Sequence, residues 1–127
     1  MAIRNSAKAL VIKDGKILLN RCRSRFGLYY ALPGGGQKVG ETLGEAIGRE
    51  LLEETGLTVT PQRLAGVYEQ ITQRRDGGPD HKLYFLFLCA LSDAERKKPT
   101  ERDAYQRSSE WVDLMAAHTG RGCPKTM

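Results

Sequence analysis

A segment in the first half of the chain constrains the fold more than any other, because it joins a glycine-rich loop to a complete helix signal. It covers residues 32–57 and reads LPGGGQKVGETLGEAIGRELLEETGL. Thr42 is a good N-cap residue, and Glu45 three positions later completes a capping box. Gly56 is the residue type that ends a helix in the left-handed conformation. The segment therefore predicts a strand end, a loop and a helix over 43–55.

The loop preceding this helix contains three consecutive glycines, Gly34, Gly35 and Gly36. Glycine tolerates positive φ and lets the backbone approach a ligand closely. We therefore expect these three residues to contact a substrate.

Three glutamates of the predicted helix lie on or beside its apolar side. The spacing defines one apolar stripe, formed by Leu43, Ala46, Ile47 and Leu51. A helical projection places Glu50 and Glu54 inside this stripe and Glu53 at its edge. Carboxylates three and four residues apart share a helix face and repel one another at neutral pH. The glutamates are therefore candidate functional residues.

The charge of the three glutamates requires compensation, since uncompensated charges on a partly buried face cost several kcal/mol. Arg49 can neutralise one carboxylate, most simply Glu53 or Glu41, but not all three. A divalent cation would neutralise the set, and carboxylate oxygens suit magnesium, manganese or calcium. The alternative interpretation is a solvated acidic helix face, which is what most glutamate runs are.

The loop and helix together resemble the signature of the Nudix hydrolases at every position. The matching residues are Gly35, Glu41, Arg49, Glu50, Leu51, Glu53, Glu54, Gly56 and Leu57. The resemblance implies an α/β (α+β) fold, the Nudix α/β/α sandwich with a mixed β-sheet. It also implies a magnesium- or manganese-dependent hydrolase that cleaves the pyrophosphate bond of a nucleoside diphosphate linked to another group X.

The same resemblance implies roles for individual residues of the signature. Glu50, Glu53 and Glu54 are expected to bind the metal. Arg49 and Glu41 are expected to orient these ligands, and Gly35 is expected to bend the loop towards the phosphates.

A general base is expected from the same family pattern. In many relatives an acidic residue of a long loop, shortly before a glutamine and a tryptophan-containing strand, removes the proton from the attacking water. Glu101 and Asp103 precede Gln106 and Trp111, and Asp103 has the closer spacing. Glu54 is the other candidate base, and a solvated charged loop without catalytic role is the alternative interpretation of this segment.

Composition is typical of one globular domain, and we expect residues 1–127 to form it. No apolar run is long enough to span a membrane and the N-terminus lacks a hydrophobic signal region, so a cytoplasmic location is expected. The three cysteines lack metal-type spacing, which favours reduced thiols over a zinc site. The net charge of +5 suits phosphate-bearing substrates, whereas nucleic acid is not an expected partner.

The N-terminal part of the chain predicts antiparallel strands. Asp14-Gly15 is a dipeptide typical of a type I′ hairpin turn. It separates two predicted strands, residues 6–13 and residues from 17 onwards. Arginines then follow at period two, at Arg21, Arg23 and Arg25, which indicates a solvated strand face or, alternatively, a phosphate contact. Tyr30, just before the glycine loop, could stack on a substrate base or simply pack.

The C-terminal half predicts further strands. We expect a short strand over 57–60 ended by Pro61, a longer strand over 64–72, and a doubly buried strand over 83–91. His81 and Glu69 each have two interpretations, as groups contacting the metal or substrate and as structural or solvated side chains. Asp113 can cap a short helix from residue 114, but the glycines and proline after it forbid a regular continuation.

Two questions stay open at this level. The substrate could be an ADP-ribose-like or sugar-linked nucleoside diphosphate, which is favoured, or an oxidised or ordinary nucleoside triphosphate, a dinucleoside polyphosphate or a capped RNA end. A non-catalytic nucleotide-sensing module acting through a protein partner is the alternative to an enzyme. Exposed strands of a small sheet also make a homodimer an expectation.

Overall fold

The fold combines a mixed sheet with one long helix. This computed structural model describes residues 2–92, 99 and 106–115. In chain order, its elements are β1 (Arg4–Lys13), β2 (Lys16–Ser24), β3 (Gly27–Ala31), β4 (Gly34–Gly36), α1 (Leu43–Thr55), β5 (Val59–Gln73), β6 (Pro79–Leu91) and β7 (Gln106–Asp113).

β1 is the strand around which the sheet is built. The strand order is β3-β2-β1-β6-β5, with β4 also paired to β1 and β7 to β2. β1 runs parallel to β6 and antiparallel to β2 and β4. The sheet is therefore mixed, as predicted.

The first hairpin is confirmed. Lys13 pairs with Lys16 across the Asp14-Gly15 turn, and both turn residues have positive φ, 52° and 73°. Positive φ at both central residues is the geometry of a type I′ turn, which matches the twist of the flanking strands.

The helix α1 has the predicted bounds and caps. The Thr42 hydroxyl accepts from the backbone N–H of Glu45, the Glu45 carboxylate accepts from the backbone N–H of Thr42, and Gly56 ends the helix with φ of 76°. The apolar stripe of α1 packs on one face of β1, where small residues let the two backbones come close. The fully buried residues at this contact are Ala7, Ala9, Val11, Ala46, Ile47 and Leu51.

Two expectations about the later strands were wrong. The segments predicted as separate strands on either side of Pro61 form one strand, β5, with register shifts at Pro61/Arg63 and Leu64/Gly66. Because β5 is at the edge of the sheet, the missing N–H of Pro61 removes no necessary pairing. β6 lies between β1 and β5, so its central position is confirmed, but only Tyr84 and Cys89 are buried along it and the other residues are half-buried or exposed, so it is less buried than predicted.

The remaining predictions fall partly outside the described residues. The helix expected after Asp113 is seen only at residues 114 and 115, so the second outer layer, the long loop and the tail lie outside the described part. In that described part, no helix is long and apolar enough to cross a membrane. Arg21 and Arg23 of β2 and Arg25 just after it are exposed, and Cys22 between the first two is buried, which agrees with a solvated face, whereas the phosphate contact stays a prediction.

Candidate active site

Two of the loop glycines are required by close contacts on opposite sides of β4. Gly34 has φ of 137°, and a side chain there would collide with the backbone carbonyl of Ala7. A Cβ added at Gly35 would lie 2.7 Å from the carboxyl group of Glu50. Gly35 is not among the described glycines with positive φ, so its backbone conformation does not itself require glycine. Its missing side chain leaves room for Glu50, and its expected role in bending the loop towards the phosphates stays a prediction.

Arg49 links the loop to the acidic face of α1. Its guanidinium donates to both carboxylate oxygens of Glu41 at 2.7 and 2.9 Å, to Glu50 Oε1 at 3.0 Å and to Glu53 Oε2 at 3.4 Å. It also donates to the carbonyl of Gly36 at 3.0 Å. Arg49 therefore contacts more carboxylates than the single one expected, and it fixes the Glu41-containing loop against the helix.

The hydrogen bonds from Arg49 lower the pKa of Glu41 to about 2, with a backbone N–H from Lys38 adding to the effect. The same contact to Glu41 raises the pKa of Arg49 above its ordinary value. Both side chains therefore stay charged across the physiological pH range.

Among the acidic residues that the structure describes, Glu54 is the most buried, with 7% of its surface exposed. Its Oε1 accepts from the side-chain amide of Asn20 at 2.8 Å and from the backbone N–H of Gly34 at 3.2 Å. The Ser109 hydroxyl donates in turn to Asn20 Oδ1 at 3.1 Å. These bonds connect α1, β2, β4 and β7 at one carboxylate.

Glu50 and Glu54 form a carboxyl pair one turn apart on the same face of α1, and they reach neighbouring residues of the loop: Glu54 accepts from the Gly34 N–H and Glu50 lies beside Gly35. Burial raises the pKa of Glu54 to about 8, and the adjacent Glu50 carboxyl contributes in the same direction. Two adjacent carboxyls need either a shared proton or a cation between them. Oxygen donors of this kind suit magnesium or manganese, so the chemistry of the pair fits the metal that the sequence predicts.

Glu53 shares Arg49 with Glu50, accepting from the same guanidinium nitrogen at 3.4 Å against 3.0 Å for Glu50. Among the described residues, no three His, Cys, Asp or Glu side chains are already gathered around one point. The structure thus brings together Glu50 and Glu54 of the three predicted metal ligands and places Glu53 beside them.

An open cavity of about 630 Å³ borders the glycine strand. Gly34, Gly35 and Gly36 line it, as do residues 37–41, the first half of β1 and the start of β6. Ligand sites of proteins usually have volumes of this size. The glycine loop is therefore placed between the acidic helix face and a cavity.

The other predicted site residues lie elsewhere. Tyr30 is half-buried on β3, opposite Arg21 of β2, and is not among the residues lining this cavity. His81 is 2.7 Å from the carboxylate of Glu69, which favours the structural interpretation of both residues. Asp103 and Glu101 lie outside the described residues, so the expected base stays a prediction.

Two residues of the site were missed by sequence reasoning. Asn20 and Ser109 hold Glu54 through the hydrogen bonds given above, and they lie on different strands far from the helix in sequence. The available signal was Asn20 itself, because asparagine is depleted in strands and here follows the apolar residues Leu18 and Leu19.

The glycine loop, the capped helix and the acidic face on a mixed sheet define the class of the protein. A family model described as the NUDIX domain matches residues 3–125. The chain therefore belongs to the Nudix hydrolase family.

Among curated proteins, the chain is 38% identical over 106 residues to an ADP-ribose pyrophosphatase of Methanocaldococcus jannaschii, which covers 83% of this chain and 59% of that protein. It is 34% identical over 104 residues to the human 8-oxo-dGDP phosphatase NUDT18, covering 82% of this chain and 28% of that protein. The chain thus spans less than two thirds of the length of either relative.

Solved structures show the same fold. A NUDIX hydrolase from Nitrosomonas europaea superposes with a TM-score of 0.78 at 24% identity, covering 98% of this chain and 82% of that one. A MutT protein from Methanosarcina mazei gives a TM-score of 0.71 at 26% identity, covering 96% and 85%. The described elements are therefore those of the Nudix fold.

Proposed function

We propose that the protein is a divalent-metal-dependent hydrolase that cleaves the pyrophosphate bond of a nucleoside diphosphate linked to another group X. The observation that carries the proposal is the carboxyl pair of Glu50 and Glu54 beside Gly35, held by Arg49, Asn20 and the Gly34 N–H. The two curated relatives, named as an ADP-ribose pyrophosphatase and an 8-oxo-dGDP phosphatase, support the substrate class.

In this proposal Glu50, Glu54 and Glu53 hold Mg²⁺ or Mn²⁺. The metal, when bound, neutralises charge on the diphosphate and lowers the pKa of water. Glu53 can bind the metal together with Glu50 and Glu54 by giving up its 3.4 Å contact to Arg49. Arg49 then still has its shorter bonds to Glu41 and Glu50.

The protein groups have separate tasks in hydrolysis. Glu54 or Asp103 accepts the proton of the attacking water, and Glu54 is positioned for this because Asn20 and Gly34 fix its Oε1. Gly36, where an added Cβ would have nothing within 4 Å, leaves the backbone of β4 open to the phosphates, and Gly34 contributes its backbone next to it. Arg49 keeps the loop carrying Glu41 at a constant distance from the helix.

The test is release of phosphate or nucleotide from ADP-ribose, NADH, GTP, 8-oxo-dGTP and diadenosine polyphosphates, with Mg²⁺ or Mn²⁺ and with metal removed by chelation. Glu54→Gln keeps the shape of the side chain and removes its charge, and Glu69→Gln on the edge strand β5, where the carboxylate contacts His81, is the matched control. We expect metal-dependent turnover of at least one compound, lost in Glu54→Gln and retained in Glu69→Gln. Unchanged hydrolysis by Glu54→Gln, or binding without turnover across the panel, would contradict the proposal.

A further inference from the structure

The cavity beside β4 has a strongly basic lining. Among its described lining residues, four are basic and one is acidic. The basic residues come from three separate parts of the chain: Arg4 and Lys8 from β1, Lys38 from the loop, and Lys82 from β6.

The acidic groups at the cavity already have cationic partners. Glu41, the acidic lining residue, accepts two hydrogen bonds from Arg49, which stands on α1. Asp80 bonds Arg4, and the nearby charge of Lys82 further lowers the pKa of Asp80. Lys38 and Lys82 have no ion pair within the part of the chain that the structure describes. The lining therefore has excess positive charge where a ligand would enter.

Lys8 lies at the junction between the cavity and the glycine strand. Its ammonium is 3.4 Å from the carbonyl of Leu32 and 3.5 Å from that of Gly34, and it is 6.0 Å from the centre of the Tyr84 ring. In the parallel pairing of β1 with β6, Lys8 and Lys82 are on the same face of the sheet, because Arg4 pairs with Lys82 and Lys8 with Leu86. The positive charges thus extend from the glycine strand along one sheet face.

The cavity and the carboxyl pair lie on opposite sides of a strand that has no side chains. Gly35 contacts Glu50 and also lines the cavity. A substrate whose diphosphate lies at Glu50 can therefore extend a further group past Gly35, which has no side chain and whose neighbours Gly34 and Gly36 have their carbonyls bonded by Lys8 and Arg49. We propose, on the basis of the hydrolase function above, that this cavity binds a phosphate group of the substrate other than the scissile diphosphate.

This inference specifies the substrate class. Lysine ammonium groups bind phosphate as point charges, and two or three of them around one space favour a dianionic phosphate monoester over a neutral sugar. The phosphate could come from a longer polyphosphate chain or from a separate ester on the nucleoside or on X. In either case the cavity would bind the same chemical group, and pairs of substrates that differ by one phosphate distinguish the two cases.

The experiment compares kcat/KM within pairs that differ by one phosphate: NADPH against NADH, coenzyme A against dephospho-coenzyme A, and ATP against ADP. We expect the phosphate-bearing member to be preferred about tenfold in at least one pair, which corresponds to about 1.4 kcal/mol. A preference in the first or second pair would show that the cavity binds a separate phosphate ester of the substrate. A preference in the third pair would show that it binds a phosphate of a longer polyphosphate chain. Equal kcat/KM in all three pairs would overturn the inference.

Substitutions locate the preference in the cavity. Lys82→Gln and Lys38→Gln should each reduce the ratio within the preferred pair severalfold, mainly through KM. Lys13→Gln removes an exposed lysine at the other end of β1 and should leave the ratio unchanged. An unchanged ratio in both cavity variants would contradict the proposal.

A binding measurement separates this inference from the hydrolase function. Adenosine 2′,5′-bisphosphate should bind the wild-type protein about tenfold more tightly than AMP, and Lys82→Gln should reduce this difference. If no substrate is turned over but the bisphosphate preference is present, the proposed hydrolysis fails and the phosphate site stands. If turnover occurs but neither the kcat/KM ratios nor the binding measurement shows a preference for the additional phosphate, the phosphate site is rejected and the hydrolase function is retained.

Discussion

Asn20 and Glu54 are joined by a buried hydrogen bond of 2.8 Å from the asparagine amide to Oε1 of the carboxyl group, although they are 34 residues apart. The bond orients Glu54 because Oε1 also accepts the Gly34 N–H. Asn20 is in turn oriented by the hydroxyl of Ser109. Asn20 is therefore a positioning residue for the carboxyl pair.

Replacing Asn20 by leucine removes the donor and keeps the number and branching of the side-chain heavy atoms, although the two methyl groups of leucine are larger than the amide. Because groups that orient metal ligands typically change affinity or activity by about 10- to 100-fold, we expect losses of that order in Mn²⁺ affinity and in kcat/KM. Ser109→Ala, one bond further away, should have a smaller effect of the same sign. Titration calorimetry with Mn²⁺ provides the measurement, and wild-type Mn²⁺ affinity in Asn20→Leu would show that the bond has no positioning role.

Substitution of Gly35 by alanine tests the steric role of this glycine. The new Cβ would lie 2.7 Å from the Glu50 carboxyl group, so Glu50 must move. We expect at least a tenfold loss of kcat/KM with only a modest loss of stability. Gly48→Ala on α1 is the matched control: a Cβ there has nothing within 4 Å, and the helix should gain about 0.5–1 kcal/mol. Full activity of Gly35→Ala would show that Glu50 can move away from the new Cβ without loss of function.

Arg49→Lys tests whether a charge alone is sufficient at this position. Lysine cannot reproduce the bidentate contact to Glu41 together with the bonds to Glu50 and the Gly36 carbonyl. We expect a lowered melting temperature and at least a tenfold lower kcat/KM. Arg63→Lys on the exposed edge strand β5 is the control and should match the wild type in both measurements. Equal behaviour of the two variants would argue against a geometric role of Arg49.

The raised pKa of Glu54 predicts a pH dependence of the metal-free protein. A carboxyl group with a folded pKa of about 8, against an ordinary value of 4.5, binds its proton more tightly in the folded state. Its contribution to stability is complete below pH 4.5 and is lost as the pH rises towards 8, by at most about 1.4 kcal/mol per pH unit.

Urea denaturation between pH 5 and 8, in the presence of a chelator, measures this loss. The free energy of unfolding of the wild-type protein should fall more steeply with pH than that of Glu54→Gln, which cannot ionise. Saturating Mn²⁺ should remove most of the difference in slope, because a cation replaces the proton between the two carboxyls. Parallel slopes of the two metal-free proteins would contradict the prediction.

The sequence predicted those parts of the molecule that depend on local signals. The helix bounds followed from the capping box and Gly56, and the first hairpin followed from Asp14-Gly15, because caps and tight turns are determined by neighbouring residues. The signature also identified the acidic helix face before any tertiary contact was known.

The contacts between distant segments could not be predicted in this way. Ser109 reaches Asn20 across 89 residues, and no spacing rule connects them. The basic cavity depends on the parallel pairing of β1 with β6, which places Lys8 and Lys82 on one face only after the sheet has formed. The continuity of β5 through Pro61 depends on its edge position, which is a property of the whole sheet.

The alternation of side chains along β1 makes its two faces differ in their tolerance of substitution. On one face, Ala7, Ala9 and Val11 are fully enclosed against α1, so a larger residue there would displace the helix that carries the glutamates. On the other face, Arg4, Ser6 and Lys8 border the cavity, where substitutions change charge and shape without moving α1. β1 therefore restricts substitution on the face that packs against α1, and under the proposed function substitutions of Arg4, Ser6 or Lys8 on the other face would change substrate preference.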